Sequence, residues 1–218
     1  MTEPLSVALK NATAEAHAEA ESANFISDLM EGKINRDAFV ALAVQQLPIY
    51  QALEDVLESH YRDHPLVAPI HDVRLHRVPS LRHDLAQLVG DDIAAQPVHP
   101  ATQEYVRVLT QEHSPELVLA NHYVRYLGDL SGGQIIARLV QRHYGISPEA
   151  LTFYQFPGID KLKVYKDAYR AKLDALTPTP QERAEIIAQA VRSFALNAAV
   201  FADLAAAGFV ADGQLGAA

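Results

Sequence analysis

Tyr123-Val124-Arg125-Tyr126-Leu127-Gly128-Asp129-Leu130-Ser131-Gly132-Gly133-Gln134 sets three glycines inside a segment whose apolar residues otherwise recur every three or four positions. Each glycine costs roughly 1 kcal/mol against alanine in a helix interior. Gly128 and Gly132 are four apart, so they share one helix face and strip it of side chains. That bare face would let a flat molecule reach the backbone. Close helix crossing would use the same two residues, and spacing alone leaves the two readings even. Arg125, Tyr126 and Asp129 tilt the balance toward a ligand site, because they form a polar cluster able to hold water inside an apolar bundle. Gly132-Gly133 also permits a bend.

Outward from this stretch, Ser114-Pro115-Glu116 reads as a helix start, and the helix is predicted to run to residue 144 with Gly145 ending it. No segment shows the strict alternation of a half-buried strand, so the fold class is all-α. A first helix is predicted over about 5–20, and Asn35 caps a long helix running towards residue 60, with a kink at Pro48. Pro65, Pro69, Pro79, Pro97 and Pro100 predict irregular connections interrupted by one helix over 80–88. A further helix is expected over about 158–176, and Thr179-Pro180-Gln181-Glu182 is a capping box opening a last helix that ends near Gly208. The economical reading is one domain of seven or eight helices over 1–207, with 208–218 a flexible tail.

The 218 residues suit a single large domain. A formal charge of -9 argues against a nucleic-acid partner, which needs a clustered basic face. The absence of cysteine excludes disulfides, thiolate-bound haem, iron–sulfur clusters and cysteine zinc sites, so any metal falls to His, carboxylate or Tyr. The opening residues, with an early acid and a proline, do not read as a signal peptide, and a cytoplasmic protein is expected. Arg192 and Asp203 interrupt the most apolar late stretch, over 184–208, which therefore reads as a core helix and not a membrane anchor.

Two further patterns carry chemistry. On the first helix, Lys10 lies two turns before His17 and Glu21 one turn after it. A neutral imidazole can bind iron through one nitrogen while a carboxylate holds its other N–H, and a cation further along could reach a propionate. His17 is nonetheless one of ten histidines, and an exposed His paired with Glu21 is the commoner meaning of such spacing. His60 and His64 share a face with no third ligand evident nearby, and read as solvated surface. The second pattern, Lys161 to Arg170, is a basic island in an acidic protein, with Lys163, Lys166 and Arg170 on one face. It suits either ligand carboxylates or an acidic partner, although a solvated face is the plainer reading.

Taken together, these residues resemble the haem oxygenase family. YVRYLGDLSGGQ (123–134) is similar to its distal-helix signature and TAEAHAEAE (13–21) to its proximal segment; FYQFPGI with KLKVYKDAYRAKL (153–173) and FALNAAVF (194–201) follow in order. The resemblance spans about 5–204 and implies a single-domain bundle with haem b between a proximal and a kinked distal helix. It implies His17 as the axial iron ligand, Glu21 on its outer N–H, and Lys10, Tyr123 and Arg170 on the propionates with Lys161 and Lys166 helping. Gly128 and Gly132 would contact the ring, Asp129 would organise distal water with Tyr50, Arg125 and Asn197, and Phe194 would line the pocket. The implied activity is that of an oxidoreductase of haem catabolism: haem is cofactor and substrate, and O2 with electrons from a reductase or ferredoxin system, docking near Lys161–Arg170, opens the ring to biliverdin, carbon monoxide and ferrous iron.

Some family members carry a second Lys where this chain has Ala14, which would shift propionate binding toward Lys10 and the basic island. The chain ends in Ala and Gly without a hydrophobic tail and so is similar to the soluble bacterial branch. Three other functions compete with this one. A non-catalytic haem carrier or sensor would use the same His17 pocket but has no evident need of Asp129. A thiaminase-like hydrolase would need a nucleophilic cysteine, and a ferritin-like di-iron protein a Glu-x-x-His pair; both are missing.

Overall fold

The computed structural model describes residues 3–21 and 23–209, with the side chain of Glu21 outside the description. The expected roles of Glu21 and of 210–218 in the tail therefore lie outside the described residues. The described residues form ten α-helices joined by turns and short 3-10 segments: α1 (Leu5–Ala12), α2 (Ala14–Glu21), α3 (Asn24–Glu31), α4 (Arg36–Val56), α5 (Val78–Val89), α6 (Pro100–Gln111), α7 (Pro115–Asp129), α8 (Gly133–Tyr144), α9 (Leu162–Asp174) and α10 (Pro180–Ala206).

Local chemistry sets most of the helix ends. Asn35 Oδ1 accepts from Ala38 N at 3.3 Å, and Ser114 Oγ accepts from Leu117 N at 3.1 Å. Thr179 Oγ1 accepts from Glu182 N while Thr179 N donates back to Glu182 Oε2 at 2.7 Å, the reciprocal capping box expected. Gly145 ends α8 in the left-handed region at φ 60°, which only glycine enters without strain.

Four expectations are corrected. The first helix is divided at Thr13, whose hydroxyl donates to Leu9 O at 2.8 Å; such back-bonding bends helices. The distal helix does not run unbroken to residue 144 but stops at Asp129 and restarts at Gly133. Between them Ser131 N bonds to Gly128 O, three residues back, tightening the last turn. The helix expected from 158 starts only at Leu162, because Gly158 has φ 81°. Helices α3 and α6 are additional to the expected set. Counting α1 with α2 and α7 with α8 as one helix each would return eight.

Helix α10 packs along α7 and also touches α1, α2, α3, α4 and α6, so it is the spine of the bundle. It is long and apolar enough to cross a membrane by composition. Its charges nevertheless have partners on or near α6: Arg192 reaches Glu112 at 2.7 Å and Asp203 accepts from Ala101 N at 2.8 Å. Core side chains such as Leu9, Leu53, Val118, Leu119, Ile186 and Leu204 are fully buried. Each such leucine contributes about 1.5–3 kcal/mol, and Leu119→Ala would cost about 2–5 kcal/mol.

Buried Arg77 locks one wall of the bundle. Its guanidinium donates to the carbonyls of Leu75, Phe153, Gln155 and Arg74 at 2.6–2.9 Å, tying the segment before α5 to the segment 153–155. Asp84 accepts from Thr152 N and Phe153 N and fixes the same segment from α5. Phe153 is thereby held edge-on to Tyr50 on α4, with ring centres 5.5 Å apart.

Candidate functional site

Gln46, Tyr50 and Glu54 follow one another at four-residue spacing along α4, a polar stripe on a helix otherwise buried by apolar residues. Arg125 and Asp129 share the same spacing on α7. Where the two helices meet, the Tyr50 hydroxyl donates to Asp129 Oδ2 and the Arg125 guanidinium donates to Gln46 Oε1. Arg125 lies over the Tyr50 ring at 4.3 Å and 5.4 Å from the centre of the Tyr105 ring. Its Nε is buried with no hydrogen-bond partner, so this charged side chain is held but not fully satisfied.

Burial pushes the Asp129 carboxyl up to about 6, while the Tyr50 hydrogen bond and the charges of Arg125 and Arg77 pull the other way. Beneath it, Tyr126 donates to Glu54 Oε1 at 3.3 Å, and Glu54 also accepts from Arg77 N at 2.5 Å. Burial raises Glu54 to about 7. Alongside, His122 shares a 2.8 Å hydrogen bond with Tyr169 OH, and burial holds its ring down to about 3, so it is neutral at ordinary pH. Tyr105 OH, Asn121 Oδ1 and Ser193 Oγ close a triangle of hydrogen bonds at 2.8–3.0 Å linking α6, α7 and α10.

The three glycines of the break prove to have different reasons. A Cβ on Gly133 would stand 3.1 Å from the Tyr154 ring, so that glycine serves packing. A Cβ on Gly128 would meet nothing within 4 Å, and one on Gly132 only the Gly128 carbonyl at 3.8 Å. Both are exposed, and Gly132 has φ -62°, open to any residue. Neither backbone strain nor helix crossing calls for glycine at 128 or 132. What remains is free access to the helix backbone, a fit for a flat macrocycle laid against it.

His17 is exposed on α2, with its ring 5.7 Å from that of half-buried Phe194 on α10. Since α10 packs against both α2 and α7, it carries the link between the proximal and distal elements. Lys166 on α9 donates to Ser131 Oγ at 2.9 Å, bringing the basic island to the glycine break. Arg170 pairs with Asp167 at 3.2 Å and its charge opposes the rise that burial imposes on half-buried Tyr123. Lys10 and Lys161 are exposed, at α1 and at the start of α9. Ser6 ties α1 to α9 through Asp174, at 2.8 and 2.9 Å. Asn197 is half-buried on α10, with no hydrogen bond to Asp129 among the described residues.

Sequence reasoning missed Gln46, Glu54, Arg77, Tyr105 and His122 as members of the buried polar system. The four-residue spacing of Gln46, Tyr50 and Glu54 was a signal in plain view. Arg77 gave none, because its partners are backbone carbonyls, those of Phe153 and Gln155 distant in sequence.

A family model described as "Heme oxygenase" matches residues 3–203. Heme oxygenase 1 of Pongo abelii is 38% identical over 210 residues, covering 94% of this chain and 73% of that protein. Among solved structures, heme oxygenase-1 from the cyanobacterium Synechocystis sp. PCC6803, in complex with heme, superposes with a TM-score of 0.88 at 30% identity, over 94% of both chains. Heme oxygenase from Leptospira interrogans gives a TM-score of 0.85 at 33% identity, over 91% of this chain and 98% of that one.

Proposed function

The chain belongs to the haem oxygenase family and is an enzyme of haem degradation, and from that premise we propose that it takes haem b, with O2 and electrons from a reductase, to biliverdin, carbon monoxide and ferrous iron through the site between α2 and α7. The observation that carries this placement is the pair Gly128 and Gly132, bare and open where neither strain nor packing requires glycine. When bound, haem supplies the iron at which oxygen is activated and the ring that is cut.

The chain's own residues then divide the work. His17 offers an imidazole nitrogen to the iron, and Phe194 supports its ring from α10. The bare Gly128 and Gly132 backbone would hold the ring of the haem, with no side chain standing between them. Lys10, Tyr123, Lys161, Lys166 and Arg170 supply the cationic and hydroxyl donors that fix the propionates. Asp129 accepts from the Tyr50 hydroxyl at Oδ2, which leaves Oδ1 to hold a water; the carboxyl, pushed by burial up to about 6, keeps that water oriented and able to relay a proton near neutral pH. Tyr50 orients that carboxylate through its hydrogen bond, and Arg125, itself held by Gln46, acts on it through its charge. The exposed basic face of α9 is where an acidic reductase would dock, and the enzyme works in the cytoplasm.

Haem added to the purified protein, with a reductant in air, tests this reading. The Soret band should decay into a biliverdin-like spectrum. A stable haem spectrum under turnover conditions would make the protein a carrier.

A further inference from the structure

Helix α4 does not simply stop at Val56 but continues as a π turn, Leu57–Tyr61, a geometry found disproportionately at functional sites. Glu58 lies in that turn. His71 follows the turns after it, and His76 ends the short 3-10 segment Val73–Leu75. Glu58 Oε1 is 2.6 Å from His71 Nε2 and 3.3 Å from His76 Nε2, and the three ligand-capable atoms all lie within 4.8 Å of one another. The three side chains are 33%, 15% and 21% exposed, so the cluster is sheltered yet open to a hydrated ion.

The contact with His71 is a good hydrogen bond. The contact with His76 is not: its Nε2 is buried and has no hydrogen-bond partner despite the nearby carboxylate. A buried ring nitrogen left unsatisfied beside a carboxylate and a second imidazole calls for a ligand. The other Glu58 oxygen has Arg62 at 3.9 Å, a long exposed side chain that can swing to water. Asp72, the neighbouring carboxylate, is occupied by Arg74 and Tyr165.

We propose that Glu58, His71 and His76 bind a late first-row divalent cation of the zinc or ferrous-iron type, in a site that uses none of the residues assigned to haem. Two imidazoles and one carboxylate, with positions left for water, are the donor set such ions prefer. Ligands about 2.0–2.2 Å from a tetrahedral ion sit roughly 3.3–3.6 Å apart, so side-chain adjustments of the order of an ångström complete the sphere.

Haem-loaded protein, in which the axial histidine is already engaged, should be titrated with zinc chloride by calorimetry. One equivalent should bind, and His71→Ala and His76→Ala should each weaken it at least tenfold, with His60→Ala unchanged. Should either variant be poorly folded, zinc-edge X-ray absorption on the wild type reads the same site and should show two imidazoles and oxygen donors. Fewer than two imidazoles, magnesium binding as tightly as zinc, no one-equivalent event, or wild-type affinity in both histidine variants would each overturn the proposal.

Discussion

The Tyr50 hydroxyl donates its hydrogen bond to Asp129 Oδ2, joining α4 to the last residue of α7 across 79 positions of sequence. That bond lowers a carboxyl that burial raises. Tyr50→Phe should therefore leave Asp129 protonated to higher pH than about 6. If the ionised carboxylate holds the working water, biliverdin formation falls as pH falls through that value, and the acid limb should move upward in the variant. Superimposable pH–rate profiles would detach the Tyr50 bond from catalysis.

Removing the carboxylate itself should be more severe. Asp129→Ala should keep haem affinity within a few-fold and lose on the order of a hundred- to a thousand-fold in ring opening, or about 2.7–4 kcal/mol. Haem titration and biliverdin yield, measured on one preparation, separate binding from turnover. A parental rate of ring opening would remove Asp129 from the mechanism.

His17→Ala should retain the slot beside Phe194 but lose the bond to iron. Haem should bind weakly and turnover should fall to background, with added imidazole restoring part of it. Full activity in the variant would move the ligand to another of the ten histidines.

The basic residues should fix how the ring is rotated. Charge-assisted hydrogen bonds from Lys10 and Arg170, two exposed cations, would orient a nearly symmetric disc. The double change Lys10→Glu with Arg170→Glu should yield mixed biliverdin isomers on chromatography before binding is abolished. One isomer in unchanged yield would assign the cut to the distal helix alone.

Glu54 gives a stability test independent of haem. Its carboxyl is raised by burial from 4.5 to about 7, so the stability it contributes is full below 4.5 and is lost as pH rises through 7. At 1.36 kcal/mol per pKa unit the loss is about 3 kcal/mol. His122, lowered by burial to about 3, acts in the opposite sense as pH falls below 6.5, and Asp129, raised to about 6, in the same sense as Glu54, so the melt of the wild type alone mixes several groups. The comparison with Glu54→Gln isolates the carboxyl: from about pH 5.5 to about pH 8 the variant should gain several degrees in Tm on the wild type. A gap that does not change with pH would show that Glu54 holds no extra proton in the fold.

The sequence by itself determined what a few neighbouring residues can settle. Asn35, Ser114, Thr179 and Gly145 each act on the backbone within four positions of themselves, and the helix ends they mark are where the periodicity put them. The same locality made Gly128 and Gly132 visible as a bare face, with Asp129 in the polar cluster beside it. Only the tertiary structure decided what the anomaly was for, because the space around a missing Cβ is set by other elements: Tyr154 fills it at Gly133, and nothing fills it at Gly128. It alone placed Arg77 on carbonyls 76 and 78 residues away and left His76 Nε2 buried beside Glu58 without a hydrogen bond. Hydrogen bonds inside a turn are written in the local sequence, whereas burial, and with it the protonation of Asp129 and Glu54, is a property of packing between distant segments.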